Sequence, residues 1–346
     1  MKDVIFTEPS QDNEQSDIYS DSSMIPEPPV PEGKPKKKKK RFRLLRALIK
    51  TVIALFIIIT LVISAIAFSS GYSSENLKSN KYISKSSLAN NPFITNILLI
   101  GIDDEAESTS RSDSMILLSL DYVHRKIKMT SFLRDSWVEI PSKSSNHKLN
   151  ASYAYGGAQL VVDTLEYNFK VDIDHYVKVD FEMFTKAIDK IGGIDIEVTD
   201  TEANFINKTT RYTVSSGESV HLSGNTALVY SRIRKLDSDY MRTYRQRKVI
   251  TAIIDKLKHK SLKEIYELSR EILPLLETDL NPLEISFNAY KGGIAALLFD
   301  IEQIRIPTEE LMYADYRNGQ WVEILDLEGC VKQIYEFIYK ATPEIE

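Results

Sequence analysis

Cysteine is almost missing from this chain of 346 residues: Cys330 stands alone. A single thiol excludes an intrachain disulfide framework and any zinc site built on paired cysteines, so stability has to come from packing. Histidine is sparse as well. His124, His147, His175, His221 and His259 make up the full set, and no two of them stand at a ligand-like spacing. There is no G-x-S-x-G elbow, no Walker loop, no H-E-x-x-H and no Cys–His pair. The motif-borne forms of serine-nucleophile, P-loop and zinc-hydrolase chemistry are therefore set aside. His147, beside Lys148, remains a general-base candidate against the plainer reading of a solvated loop histidine. No internal repeat in the range of about twenty to fifty residues is visible, which excludes the common repeat architectures.

The charge that is present is distributed unevenly. Residues 1–33 carry one lysine against eight acids, residues 34–50 carry ten Lys/Arg and no acid, and the remainder sums to −8. The first stretch ends in PEPPVPEG and lacks any apolar period, so residues 1–43 read as a disordered tail, acidic and then polybasic. Thr51–Phe68, TVIALFIIITLVISAIAF, has no charged residue. With its flanks (44–70) it is long enough for a hydrocarbon core of roughly 30 Å. A basic cluster directly before a single span places the N-terminus in the cytoplasm and everything after about Ser69 outside. The long preceding tail and the lack of a small-residue cleavage site favour an uncleaved signal anchor in the cell membrane. The basic run also suits anionic lipid.

Residues 71–92 read as a polar connector, 93–260 as the main folded part, and 261–346 as its remainder or a small lobe packed on it. Strands are expected at Asn96–Gly101, Met115–Leu120, Lys126–Phe132, Tyr176–Val179 and Ile194–Val198. Helices are expected at Gln159–Asn168, Phe181–Ile191 and Leu222–Tyr230, the last capped by Ser223. Further on, helices are expected at Leu262–Leu276 as far as Pro274, at Leu283–Phe299 with a weak point at Gly292-Gly293, and at Gly329–Tyr339. Ile304–Pro307 and Trp321–Ile324 read as strands around a GQ turn. The alternation predicts an α/β fold, a mixed α-β-α sandwich around one central sheet. Phe181–Ile188 and Ile294–Leu298 are more apolar than such strands require; they read as core, with a lipid pocket as the alternative.

Tyr230–Lys248, YSRIRKLDSDYMRTYRQRK, is the stretch around which the chemistry gathers. It holds Arg232, Arg234, Lys235, Arg242, Arg245, Arg247 and Lys248 against only Asp237 and Asp239. Because the surrounding domain is net acidic, this basic island is local; a nucleic-acid binder would spread positive potential over a whole face. From about Arg242 a helical stripe (Val249, Ile250, Ile253, Ile254, Leu257) follows. Arg242, Arg245 and Gln246 then share one face of a first turn, where donor side chains and backbone N–H groups together suit an oxyanion or pyrophosphate. Asp103 and Asp113 flank the loop between the first two strands. Two carboxylates completed by water and a substrate phosphate describe a Mg²⁺ site, with turn-capping acids as the plainer alternative. Arg111 stands beside Asp113 as its ion partner or a phosphate ligand. Arg134, next to Asp135, and Lys148 occupy loop positions where an α/β sheet binds ligands.

In order along the chain, IGIDD, RSDSMILLSL, SFLRD, KLNASYAYGG, DHYVKVDFEMF, IGGIDIEV, LSGNTALVYSRIR and DYMRTYRQR resemble the LytR-CpsA-Psr family of cell-envelope proteins, from about Asn96 to Leu257. The resemblance implies a phosphotransferase that moves a glycopolymer from a polyprenyl-pyrophosphate carrier onto peptidoglycan at the membrane, with no role for nucleic acid. It implies Mg²⁺ (or Mn²⁺) on Asp103 and Asp113. Arg111, Arg134, Lys148, Arg232, Arg234, Arg242, Arg245 and Gln246 would surround the pyrophosphate, and Arg111, Asp113, Arg134, Arg232 and Arg242 would carry catalysis. A base for the attacking hydroxyl is open between Asp113, Asp135 and Asp239. Two positions depart from the pattern: Leu133 stands where the family has Pro, and Met241 where it has Gly. The alternatives are a membrane-anchored protein that binds polyprenyl-linked polymers without transferring them, and a transcriptional regulator. The intact Asp103/Asp113 pair disfavours the first, and an Arg cluster outside the membrane disfavours the second.

Overall fold

The computed structural model describes residues 65, 74–103 and 110–340. The tail expected over 1–43 and, Ala65 apart, the span expected at Thr51–Phe68 lie outside the described residues. Among those described, no helix is long and apolar enough to cross a membrane.

The chain opens with a meander of β1 (Ile94–Ile102), β2 (Ser112–Asp121) and β3 (Lys126–Phe132), followed by the hairpin β4 (Trp137–Ile140) and β5 (Ser145–Lys148). Next come α1 (Ala151–Phe169), β6 (His175–Val179), α2 (Phe181–Lys190), β7 (Ile194–Val198), α3 (Asp200–Thr209) and β8 (Gly217–Leu222). The series α4 (Gly224–Ser231), α5 (Asp239–Lys258) and α6 (Leu262–Ile272) leads to β9 (Glu277–Thr278), α7 (Pro282–Leu298) and β10 (Asp300–Ile306). The hairpin β11 (Met312–Arg317) and β12 (Gln320–Leu325) and helix α8 (Leu327–Tyr339) complete the order.

The central sheet is mixed, in the order β10-β3-β2-β1-β6-β9. β1, β2 and β3 pair antiparallel, whereas β6 and β10 add in parallel on either side. Alternation along the strands separates two faces. Leu98, Ile100, Met115 and Leu117 pack against Val161 and Leu165 of α1 and Ile334 and Ile338 of α8. The intervening Leu99, Gly101, Ser114 and Ile116 look the other way, toward α2, α4 and α5. Further along that second face, Leu120 packs beneath α7 with Ala295 and Phe299, and Leu118 borders the same cluster. Helices on both faces of one sheet are the expected layering.

Three expectations change. The strand around Ile304 pairs with β3 at the edge of the main sheet, not with Trp321–Ile324. The partner of β12 is β11, across a turn at Asn318 and Gly319, both at positive φ (52° and 73°). A two-residue turn of that kind matches strand twist, and Asn-Gly supplies it. Second, the stretch read as a connector is laid onto the fold from Ser74 onward: Ser74 bridges Thr278, Ala89 bridges Val171, and Asn80 donates to Glu166 at 3.0 Å. Third, Leu297 and Leu298, expected in the core, are exposed.

Candidate active site

A cavity of about 350 Å³ lies between the second sheet face and α2, α4 and α5. The N-cap carboxylate of Asp180 accepts from the Met183 N–H at 2.7 Å and starts α2, so Phe181, Phe184 and Ile188 recur on one side and line the cavity. Helix α4 can approach α2 because its first residue is Gly224; a Cβ there would stand 2.1 Å from the carbonyl oxygen of Thr185. From α5, Ile250 and Ile253 close the apolar wall. Asp113, Arg232, Arg234, Arg242 and Gln246 also line this space. The cavity is thus an apolar pocket with a polar, Arg-rich portion.

Local structure explains how those groups meet. The β1–β2 register shifts between Gly101/Ser114 and Ile102/Ser112, leaving Asp113 as the extra residue of a bulge. A bulge re-aims a side chain at a sheet edge. Arg134, just past β3, donates to Asp113 Oδ1 at 2.5 Å and reaches Asp135 at 3.4 Å and Asp239 at 3.8 Å. Lys148 of β5 holds Asp135 at 2.7 Å. Arg242 donates to Asp239 at 2.9 Å and to the Asp113 carbonyl at 3.2 Å, and Arg234 stands 3.6 Å from Asp239. Ser114 Oγ donates to Gln246 Oε1 at 3.1 Å. The Arg232 guanidinium lies over the Phe181 ring, 4.2 Å from its centre.

Burial lowers the Arg242 guanidinium to about 10, and the neighbouring Arg134 and Arg234 charges add to this against Asp239 and Asp113. At Arg134 burial acts the same way, but Asp113, Asp239 and Asp135 outweigh it and raise its pKa. Both remain cations at neutral pH. Arg242 is the more costly charge to hold, and an added anion would relieve it.

Five of the candidate residues therefore line the cavity: Asp113, Arg232, Arg234, Arg242 and Gln246. Arg134 stands directly behind the lining residue Asp113, and Lys148 further back through Asp135. Arg245 does not join them. Its guanidinium is buried and pairs with Glu202 at 2.6 Å and with Asp237, which together raise its pKa against the effect of burial. Arg111 is exposed at the end of the β1–β2 loop, directly before β2, and the ion partner of Asp113 is Arg134. Helix α5 begins at Asp239, three residues before the expected Arg242, so an acid and not an arginine occupies its first position. His147 contacts Ser145 Oγ at 3.1 Å and the rings of Trp137 and Tyr155. Leu133 uses its N–H to bond the Ile306 carbonyl at 2.9 Å, a bond that proline cannot make. Met241 sits in the first turn of α5, its N–H bonded to the carbonyl of the N-cap residue Ser238 at 3.1 Å. Phe181 and Ser114 are site residues that sequence reasoning did not name as such; the apolar excess of Phe181–Ile188 was the trace of the former.

Asp103 Oδ1 accepts from Ser110 Oγ at 3.0 Å and the Arg111 N–H at 3.3 Å. Among the described residues no group of three or more His, Cys, Asp or Glu is arranged to hold a metal. Two carboxylates at adjoining strand ends are nonetheless a hard-oxygen donor set. Oxygen donors of this kind are the type Mg²⁺ takes, with water and substrate phosphates completing its shell; Asp113 lines the cavity and Asp103 does not.

The model of the LytR_cpsA_psr family matches residues 59–333, well into the part after Ser261. The polyisoprenyl-teichoic acid–peptidoglycan teichoic acid transferase TagV of Bacillus subtilis (strain 168) is 33% identical over 260 residues, 69% of this chain and 66% of that protein. The corresponding TagU of Halalkalibacterium halodurans is 37% identical over 169 residues, 48% of this chain and 53% of that protein. The chain spans about half to two-thirds of the length of these curated relatives. Among solved structures, TagT bound to LIIa-WTA superposes with a TM-score of 0.62 at 27% identity, covering 76% of this chain and 99% of that one. TagT with bound octaprenyl pyrophosphate lipid gives a TM-score of 0.55 at 26% identity over the same shares. With a family model matched across most of its length, and a site built from the residues that carried the resemblance, the chain belongs to the LytR_cpsA_psr family.

Proposed function

We propose that this chain is a membrane-anchored phosphotransferase of the outer cell surface that attaches a glycopolymer, such as teichoic acid or capsule, from a polyprenyl-pyrophosphate carrier to peptidoglycan through a phosphodiester. The observation that carries this reading is the cavity. Leu99, Ile116, Phe184, Ile188, Ile250 and Ile253 suit a polyprenyl chain, and Arg232, Arg234, Arg242 and Gln246 suit its pyrophosphate. The transferase names of TagU and TagV, and the lipid bound to TagT, support it.

In the reaction an acceptor hydroxyl oxygen forms a bond to the glycan-bearing phosphorus, and the bond from that phosphorus to the bridging oxygen breaks. Polyprenyl phosphate leaves with the electron pair. Arg232, Arg234 and Arg242 stabilise charge on the phosphoryl oxygens and the leaving group, which is the main demand of phosphoryl transfer. Arg134 and Lys148 act from behind by fixing Asp113, Asp135 and Asp239. The hydroxyl proton has Asp113, Asp135 and Asp239 as candidate acceptors; each is paired with an arginine or lysine, and of the three only Asp113 lines the cavity. Mg²⁺ or Mn²⁺ held by Asp103 and Asp113 would neutralise charge on the pyrophosphate. Thr51–Phe68 is the anchor, with the N-terminus cytoplasmic and the folded part outside.

The test is transfer by the full chain in vesicles, given a polyprenyl-pyrophosphate glycan and peptidoglycan fragments with and without Mg²⁺. A metal-dependent, phosphodiester-linked product is expected. Loss of one guanidinium in Arg232→Ala or Arg242→Ala is expected to lower the rate by about 10²-fold or more, with the circular dichroism spectrum intact. Tight lipid binding without product would instead make this a carrier-binding protein.

A further inference from the structure

The helix α7 (Pro282–Leu298) is amphipathic in an unusual sense, because its exposed side is apolar. Leu283, Phe287, Leu297 and Leu298 are 61%, 52%, 65% and 71% exposed, and Tyr290 is exposed beside them. At 3.6 residues per turn these positions and Ile294 fall within an arc of roughly 100°, and none of them is charged. Ile285, opposite the stripe, and Ala295, on its flank, are both buried, the latter against the sheet. Glu284 and Lys291 border the stripe without interrupting it. Lys291 is drawn inward to Thr95, and its ammonium lies 5.5 Å from the centre of the Phe287 ring. Exposed apolar surface of this extent on one face marks an interaction site.

We infer that the outer face of α7 rests on the lipid bilayer, its apolar stripe entering the interface between headgroups and acyl chains. Two independent features select a bilayer as the occupant. The first is tethering. The uncharged run ends at Phe68, and Ser74, six positions later, bridges Thr278, with the Glu75 N–H bonded to the Thr278 carbonyl at 3.3 Å. Six residues reach at most roughly 20 Å. Thr278 stands four positions before Pro282, so the chain leaving the anchor is attached beside the first turn of α7. The second is the direction of the cavity. Its sheet wall runs from Ser114 to Ile116, and the same face continues to Leu118 and Leu120, at the α7 cluster. The apolar end of the cavity is therefore directed toward α7, away from the arginines. A helix with an apolar stripe and a tyrosine at its border suits interfacial seating.

This inference rests on the anchor reading above, and the experiment separates the two. Single cysteines at Phe287→Cys, Leu297→Cys, Ile58→Cys and Tyr316→Cys are labelled with bimane in the full chain; the native Cys330 is buried. The protein is placed in phosphatidylglycerol–phosphatidylethanolamine vesicles with and without acyl-brominated lipid. Bromolipid is expected to lower emission at least twofold at 58, 287 and 297 and to leave 316, on the exposed hairpin, unchanged. Quenching at 58 but not at 287 or 297 would keep the anchor and overturn the α7 contact. No quenching at 58, 287 and 297 would overturn both. Spin labels at 287 that broaden one another between copies, without lipid quenching, would replace the bilayer with a second copy of the chain and also overturn it.

Discussion

Among the site's residues, similar sequence positions have opposite fates. Arg242 and Arg245, three apart on α5, read from sequence as one donor face. The structure puts Arg242 on the cavity wall and Arg245 against Glu202 and Asp237. The type and period of the residues were legible; Glu202, 43 positions away, was not, because local spacing carries no record of a tertiary partner. Arg245→Met is therefore expected to cost about 3–5 kcal/mol by stranding a buried carboxylate, visible in urea unfolding. Arg242→Met should unfold near the wild-type midpoint and lack transfer, since Asp239 keeps Arg234 and partial exposure. A second group has a pH signature. Burial raises the Glu166 carboxyl to about 7, offset in part by Asn80 and the Ile173 N–H. Between about 4.5 and 7 the folded state then holds a proton that the unfolded state has lost, so stability falls as pH rises through that window. Glu166→Gln is expected to flatten this slope whatever its effect on stability at any single pH. An unchanged slope in urea midpoints from pH 4.5 to 7.5 would count against it.

Elements with a clear period were the easiest to read. β3, α2 and β7 stand within a residue of their expected bounds, and Ser223 caps α4 as its sequence suggested. Each of these has a local cause in alternation, an N-cap carboxylate or an N-cap hydroxyl. Pairing was less legible, because the partner of a strand is set by contacts far along the chain. Thus β10 was given the wrong neighbour, and β11, with its mixed polar and aromatic residues, was not seen. Gly292-Gly293 was read as a weak point, yet α7 runs through it with no positive φ. A Cβ built at either glycine meets nothing within 4 Å. Gly292→Ala and Gly293→Ala are each expected to stabilise the protein by about 0.5–1 kcal/mol through helix propensity. Thermal unfolding of the double variant would check this, and a drop in midpoint would count against the propensity argument.

For the molecule as a whole, the main question left by the sequence was whether residues after Ser261 form a separate lobe. Their side chains enter the same core as the site's scaffold. Ile306 of β10 and Cys330, Ile334 and Ile338 of α8 pack with Leu98, Ile100 and Leu117. The bond from the Leu133 N–H to the Ile306 carbonyl ties β10 to the residue next to Arg134, so the position of that arginine depends on the edge strand. Lys128 and Asp121, both fully buried, pair at 2.8 Å, and the Lys128 ammonium also donates to the Ile338 carbonyl at 3.0 Å. The Asp121 carboxyl is lowered because Lys128 and His124 outweigh the burial that raises it. Removing one partner of such a pair costs about 3–5 kcal/mol, so Lys128→Ala should lower stability by that amount and loosen α8. A chain ending at Leu298 would lose β10 and α8 together, leaving β3 as an open edge and half of the α1 face of the sheet uncovered. It is expected to aggregate, or to unfold without a cooperative transition. A soluble, cooperatively folded product that still bound the lipid would show the C-terminal part to be an accessory to the site and not part of its frame.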